Sequence, residues 1–478
     1  MSNKESIAIE NIGLDVIAES ERKGKPSDLF MPWFAANISV LGMSWGAWVL
    51  GFGLSFIQAV IVTIVGVTLS FLFCGIVATL GKKGSAPTLA LSRAAFGYNG
   101  NRISAFISWI LTVGWETVLC VLATLATATV MEALGWSNHT TAQILGFIIV
   151  VACSAFAGIF GFDTIMRVQT WITWLTGILT IIYLALTIPS INWSNIMKMP
   201  AAPMSAMLGA FVMLLAGYGL GWVNAAADYS RYLPRKASTK GVVFWTTFSS
   251  SLPCVILTIF GILLVGSDKK LGELINSDPI GALTTILPTW FLVPFAIVAI
   301  LGLIGGIIMD LYSSGLSLLA TGLRVPRTVA TSIDATIMTL GTILVVFFAN
   351  DFLAPFSGFL TTLGSIIAAW AGIMIAEAIM RKKEYDVDSL FTPKGIYGSI
   401  NWEAITLILL GTIVGWGLVV NSTSWLSWQG YLLDFGLGGR EGTLAFSNIG
   451  IILSLLIGLI GHLIFGRSAI AKQEEKIA

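Results

Sequence analysis

The sequence predicts an all-α polytopic membrane protein with twelve transmembrane helices and both termini in the cytoplasm. Three observations carry that expectation. Hydrophobic residues make up 56% of the 478 and charged residues 11%, with a mean hydropathy of +0.88, and no soluble core of this size hides so much apolar surface. Breaking the chain at its charge clusters leaves twelve apolar runs of about 20 residues or more, the length that crosses ~30 Å of hydrocarbon. Lys and Arg then divide unevenly: 22 fall in the tails and the loops assigned to the cytoplasm, and 4 (Lys198, Lys269, Lys270 and Arg440) on the opposite face. A miscounted span would scramble this division from the error onward.

Residues 1–29 form a polar, charged cytoplasmic tail with no apolar h-region or cleavage site, so the first membrane helix is expected to direct insertion itself. Spans are expected at about 30–56, 58–80, 105–131, 142–161 and 168–189, a first group of five covering 30–189. A second group over 204–380 has spans at about 204–226, 242–266, 291–320, 329–349 and 353–380. Two more follow at about 401–421 and 444–465, then a cytoplasmic tail, 466–478. Spans 1 and 2 are the least clearly divided, because almost nothing polar separates them.

Within span 1, FMPWFAANISVLGMSWGAWVLGFGLSF, the residues Asn37, Ser39, Gly42, Ser44, Gly46, Gly51 and Gly53 interrupt the apolar run. Span 6 places Gly217, Gly219 and Gly221 two apart, followed by Asn224. Alternating glycines suit neither helix propensity nor a packing face, which needs a spacing of four. Spans 1 and 6 hold the same position in the two groups of five. Paired interruptions there point to an inverted-repeat transporter with its site between the halves, although membrane helices are also glycine-rich in general.

Deep polar residues are few. Glu116 sits in span 3 beside Trp115, and Asp310 in span 8 follows Gly302, Gly305 and Gly306. Carboxyls inside a bilayer are costly and commonly mark a substrate or proton path; a structural hydrogen bond is the plainer alternative. Asp334, Glu377 and Glu403 lie nearer helix ends, where an interfacial role is expected. Asp228 with Arg231, and Asp163 with Arg167, read as interface ion pairs or gates. Trp115 and Trp222 are singled out because they sit next to glycine within the interrupted or polar helices, at estimated mid-depth. A flat heterocycle would stack between two such indoles, each face worth roughly 1–3 kcal/mol.

Other classes are disfavoured. A net charge of +1 suggests no nucleic-acid partner. Cys74, Cys120, Cys153 and Cys254 lie in apolar runs as packing residues, and His139 and His462 are far apart, so neither a disulfide framework, a metal centre nor a cofactor is expected beyond a coupling proton or sodium ion. Short loops leave no soluble domain for catalysis, and transport is the default function. The short tails suggest a bacterial inner membrane, and nothing requires more than a monomer.

Five motifs, in order, carry a resemblance to a known family: GLDVIAESERKGKPSDLFMPWFAANISVLGMSWGAWVLGFGLSFIQA, RAAFGYNGNRISAFISWILTVGWE, GWVNAAADYSRYLP, DLYSSGLSLLATGLRVPR and YDVDSLFTPKGIYGSINWEAI. Across nearly the whole chain the sequence resembles the nucleobase:cation symporter family, in its purine–cytosine permease branch. The resemblance implies a LeuT-like fold of five-plus-five inverted repeats and two extra helices, and cation-driven uptake of a nucleobase or a related ring such as allantoin, a hydantoin or a thiamine precursor. It implies that Trp115 is the stacking tryptophan of span 3 and Trp222 the aromatic of span 6, that Gly219 and Gly221 offer backbone to the ligand, and that Asn37 and Ser39 lie in the unwound part of span 1. Two departures matter. Leu119 stands where many relatives have Asn or Gln, and Gly302, Gly305 and Gly306 stand where sodium-coupled relatives carry side-chain oxygens. Sodium needs several oxygens, so proton coupling through Glu116 and Asp310 is favoured. Glu116 is a candidate for the missing polar contact to substrate, though one residue after Trp115 it points about a quarter-turn away. The alternatives are an amino-acid or osmolyte symporter on the same fold, an integral membrane enzyme and a passive channel.

Overall fold

The computed structural model describes residues 16–158, 162–349, 352–421 and 423–477, with side chains described outside 156–169. Among the described residues there is helix and no strand. Eight helices are long and apolar enough to cross a membrane alone; two bent pairs and two shorter apolar helices supply the remainder, so the helices accommodate twelve spans.

Span 1 is two helices, Phe30–Asn37 and Leu41–Leu50, bent by 69° at the break. The chain turns extended at Ile38, and the Ser39 hydroxyl accepts from the Leu41 amide at 3.4 Å, replacing a helical partner with a local one. Positive φ at Gly53 ends span 1, and Ser55 caps span 2 (Phe56–Gly84) reciprocally with Gln58. Five residues therefore resolve the division that the sequence marks least. Span 3 (Asn101–Ala133), span 4 (His139–Gly158) and span 5 (Phe162–Thr187) complete the first group.

Span 6 begins as Met204–Gly217 and breaks at Tyr218, whose φ of −100° and ψ of −107° lie outside the helical region. It resumes as short pieces, Gly219–Trp222 and Ala226–Ser230. Span 2 supplies what the break leaves unbonded: the Ser70 hydroxyl donates to the Leu215 carbonyl (2.7 Å) and accepts from the Leu220 amide (3.1 Å), and Cys74 Sγ donates to the Gly219 carbonyl (2.9 Å). Irregular backbone at membrane depth survives only with such partners.

Span 7 (Thr239–Ser267), span 8 (Leu292–Ala320), span 9 (Arg327–Phe348) and span 10 (Leu353–Met380) follow, then span 11 (Trp402–Gly417) and span 12 (Gly450–Phe465). Span 8 runs unbroken through Gly302, Gly305 and Gly306, and Gly306 serves close packing: a Cβ there would sit 2.7 Å from Leu119 Cδ1 of span 3. The N-terminal segment is clamped to the ends of spans 2 and 6 through Arg22, which bonds the Leu233 and Lys82 carbonyls. Bonds from Arg235 and then Arg22 hold the Glu19 carboxyl below its ordinary range.

Asp334 and Glu377 lie toward their helix ends, where neighbouring spans bury both side chains. Glu377 bonds Arg381, and His462 of span 12 stands between Glu377 (3.6 Å) and Glu403 (3.1 Å). Arg381 also donates to Gln473 (2.5 Å), which in turn reaches the Ala94 carbonyl. This network ties spans 10, 11 and 12 and the C-terminal helix Arg467–Glu475 together. Removing one member of a buried ion pair costs about 3–5 kcal/mol, so Glu377→Ala should lower the melting temperature sharply while leaving substrate affinity near wild type. An unchanged melting curve would show that the network is dispensable.

Asp228 and Arg231 make no ion pair among the described residues. Asp228 instead accepts from the Thr88 amide (2.9 Å) and hydroxyl (2.7 Å), capping the short helix Thr88–Leu91, while Arg231 donates to Tyr312 (3.0 Å) and Tyr232 (3.2 Å). The side chains of Asp163 and Arg167 lie outside the described residues.

Candidate functional site

The two breaks face one another, and a cavity opens between them. Span 1 contributes Asn37, Ser39 and Trp45; span 3 contributes Trp115 and Leu119. Span 6 adds Tyr218, Gly221 and Trp222, and span 8 adds Gly302, Gly306 and Asp310.

Aromatic edges hold the indoles in place. Trp115 meets Phe356 and Phe359 of span 10 edge-on, each at 5.7 Å between centroids. Trp222 meets the buried Trp33 edge-on at 6.1 Å, and Trp33 in turn rests on Tyr229 at 5.3 Å. Trp45 leans on Tyr218 at 4.8 Å with a tilt of 34°. Such contacts restrict ring rotation, so the cavity wall is pre-organised before any ligand arrives. Gly221 is required by close approach, since a Cβ there would sit 3.0 Å from Trp115 Nε1. That Nε1 is buried and has no hydrogen-bond partner among the described residues, leaving a donor for a ligand acceptor. Asn37 donates to the Trp33 carbonyl at 2.8 Å, which fixes its orientation beside the cavity.

Of the residues singled out from sequence, the structure brings Asn37, Ser39, Trp115, Gly221, Trp222, Gly302, Gly306 and Asp310 to one cavity. It does not bring Gly219, Gly305 or Glu116 to its wall. Gly219 packs against the Ser70 backbone of span 2, which explains its lack of a side chain without any ligand. Glu116 is fully buried on the neighbouring face of span 3, about 100° round the helix from Trp115, so a direct substrate contact is not supported there. Trp45 and Tyr218 were not anticipated. Both adjoin glycine inside an interrupted span, as Trp115 and Trp222 do, and that same criterion would have found them. Cys254 of span 7 also lines the cavity; it carries no sequence signal beyond being apolar.

Helices broken at matching places, closing on an aromatic cavity with the Asp310 carboxyl at its edge, define a membrane transporter rather than an enzyme. Among the described residues no group of His, Cys, Asp and Glu is arranged to hold a metal ion. The chain belongs to the family of permeases for cytosine/purines, uracil, thiamine and allantoin, whose profile matches residues 16–437. It is 24% identical over 417 residues to Bacillus subtilis YxlA, named provisionally as a purine-cytosine permease, covering 85% of this chain and 87% of that one. It is also 24% identical over 437 residues to the Saccharomyces cerevisiae purine-cytosine permease FCY2, covering 85% and 76%. Among solved structures it is similar to Mhp1, a nucleobase-cation-symport-1 family transporter, in a closed conformation with bromovinylhydantoin bound. The TM-score is 0.70 at 17% identity, covering 98% of this chain and 100% of Mhp1. The LeuT-like architecture expected from the sequence is therefore the fold, and the protein is a multi-pass membrane permease.

Proposed function

We propose that the protein imports a nucleobase or related planar heterocycle by proton symport, through alternating access. The observation that carries the reading is the cavity itself: Trp115, Trp222, Trp45 and Tyr218 around one space, with the free Trp115 Nε1, the Ser39 hydroxyl and Asp310 available to the ring's polar edge. A flat ring gains stacking on such walls, whereas an amino acid needs a charge partner for its amine and carboxylate. Leu119 offers no hydrogen bond, so ring recognition falls to these other groups and to backbone.

Proton coupling is favoured by what span 8 lacks. Gly302 approaches the break in span 1, where a Cβ would sit 3.5 Å from the Ile38 carbonyl, and it brings no hydroxyl to that carbonyl. A hard cation wants several oxygens, while Asp310 at the cavity edge suits a proton. One observation favours sodium as a second reading. The Thr176 hydroxyl of span 5 is buried without a hydrogen-bond partner among the described residues, and its methyl lies near the same glycine, 3.6 Å from a Cβ placed there.

A thermal-stability panel on purified protein separates these. Cytosine, uracil, adenine, hypoxanthine, guanine, allantoin, a hydantoin and hydroxymethylpyrimidine are each tested with and without sodium, at two pH values. A ligand at 100 times its Kd stabilises by about 2.7 kcal/mol. The expected result is a shift with one ring class that is larger at low pH and indifferent to sodium. A sodium-dependent shift would replace the proton, and no shift with any ring would overturn the substrate class.

A further inference from the structure

On the cytoplasmic side of the cavity, span 6 is joined to spans 3 and 8 by side-chain hydrogen bonds. Asn224 Nδ2 donates to the Ser108 hydroxyl (2.6 Å) and to the Thr112 hydroxyl (3.1 Å) of span 3. Ser108 Oγ in turn lies 3.4 Å from Ser317 Oγ of span 8. Asp228 accepts from Ser313 of span 8 at 3.5 Å, besides its two bonds from Thr88. Arg231 donates to the Tyr312 hydroxyl of span 8 at 3.0 Å. Asn224, Asp228 and Arg231 fall at i, i+4 and i+7, the spacing of one helix face, and Ser104, Ser108 and Thr112 likewise share one face of span 3. All six are buried.

Two features set this seam apart from ordinary packing. It starts directly beyond the indoles: Asn224 follows Trp222 by two residues, and Thr112 precedes Trp115 by three on a span that enters from the cytoplasmic face. Neither Asn224 nor Thr112 lines the cavity, so the way inward is closed here by these bonds. Its polar groups are also incompletely used, since Asn224 Oδ1 and Ser104 Oγ are buried with no hydrogen-bond partner among the described residues. Parting a hydrogen-bonded seam exchanges each bond for one to water at small net cost, whereas parting apolar surface exposes it to water without compensation. On its other side span 6 is bonded to span 2 through backbone groups that its own break frees, at Leu215, Gly219 and Leu220, and those bonds cannot be given up at membrane depth. Span 6 is therefore built to stay with span 2 and to separate from spans 3 and 8.

We propose that this seam is the release path, along which substrate leaves the cavity for the cytoplasm between span 6 on one side and spans 3 and 8 on the other. The proposal rests on the alternating-access reading above. Asn224 is the first polar group that a ring meets past the two indoles. Its Oδ1 accepts from a ring N–H, and its Nδ2, released from Ser108 and Thr112, donates to a ring carbonyl or nitrogen. The freed hydroxyls of Thr112, Ser108 and Ser104 continue the same service toward the cytoplasm, so a planar heterocycle exchanges partners step by step along one wall.

The test applies a membrane-impermeant methanethiosulfonate to the cytoplasmic face of membrane vesicles and reads each cysteine peptide by mass spectrometry. The native Cys254, which lines the cavity, reports whether the cavity opens inward at all. Ser108→Cys and Ser104→Cys report the route; the second removes no hydrogen bond found among the described residues, and so serves if the first does not fold. Ser314→Cys is the control, because Ser314 is equally buried on span 8 but bonds Asp334 of span 9 at 2.8 Å. Modification at 108 and 104 should run at least ~10-fold faster than at 314, through a minor inward-open population. Tyr312→Phe, which removes the bond from Arg231, should raise the rate at 104 further and leave the rate at 314 unchanged. If Cys254 is modified while 108 and 104 react no faster than 314, the cavity opens by another route and the proposal is overturned. If Cys254 is never reached from the cytoplasmic face, the alternating-access reading itself fails, and the release path with it.

Discussion

Trp115→Ala is expected to remove saturable substrate binding while leaving the protein folded. The indole forms one wall of the cavity, is only half-buried, and is held by the edges of Phe356 and Phe359. Losing one stacking face costs about 1–3 kcal/mol, which raises Kd about 5- to 150-fold. The truncation also loses the Nε1 donor, so the upper end of that range is expected. Trp115→Phe keeps a ring but no donor, and should fall between wild type and alanine. Isothermal titration with the identified ring checks the series, with size-exclusion profiles as the control for folding. Unaltered affinity in both Trp115→Ala and Trp222→Ala would remove stacking from the account of this site.

The second large effect is expected from Gly261→Val. Span 7 crosses the second half of span 1 so closely that a Cβ on Gly261 would collide with the backbone of Met43, and one on Gly46 with the backbone around Gly261 and Ile262. Backbone on both sides cannot rotate aside as a flexible side chain does. Overpacking in a core typically costs 1–3 kcal/mol even where side chains give way, so more is expected here. Little monodisperse protein should be recovered. Gly177→Ala in span 5 is the control, because a Cβ there meets only Ile38 Cδ1 at 3.7 Å. Recovery of Gly261→Val with a wild-type melting temperature would show that spans 1 and 7 pack less tightly than described.

Much of this architecture is legible in the chain because the bilayer allows few solutions. A span needs its length and composition, and both are local properties. The breaks were legible for a related reason: Asn37 to Ser39 and the alternating Gly217, Gly219 and Gly221 are choices a continuous membrane helix does not require. Even so, the same glycine signal had two outcomes. In span 6 it accompanies a break at Tyr218, whereas in span 8 Gly302 and Gly306 sit in unbroken helix and admit neighbouring spans. Nothing local distinguishes these, because the difference lies in which partner approaches.

The deep acids mark the same boundary. Position along a helix gave Glu116 and Asp310 their depth and set Asp334 and Glu377 nearer helix ends, but it did not tell that neighbouring spans bury both of the latter completely. Asp228 was paired with Arg231 by proximity in sequence, yet it caps a helix 140 residues away. The sequence by itself determined the membrane class, the number of apolar runs, the family and most of the cavity wall, since each is written in periodicity, composition or contiguous motif. Only the tertiary structure decided that Glu116 stays off the cavity wall, that Trp45 and Tyr218 join it, and that Gly219 serves packing. Those outcomes depend on the rotation of one helix against another, which is set by side-chain and backbone contacts between residues far apart in the chain.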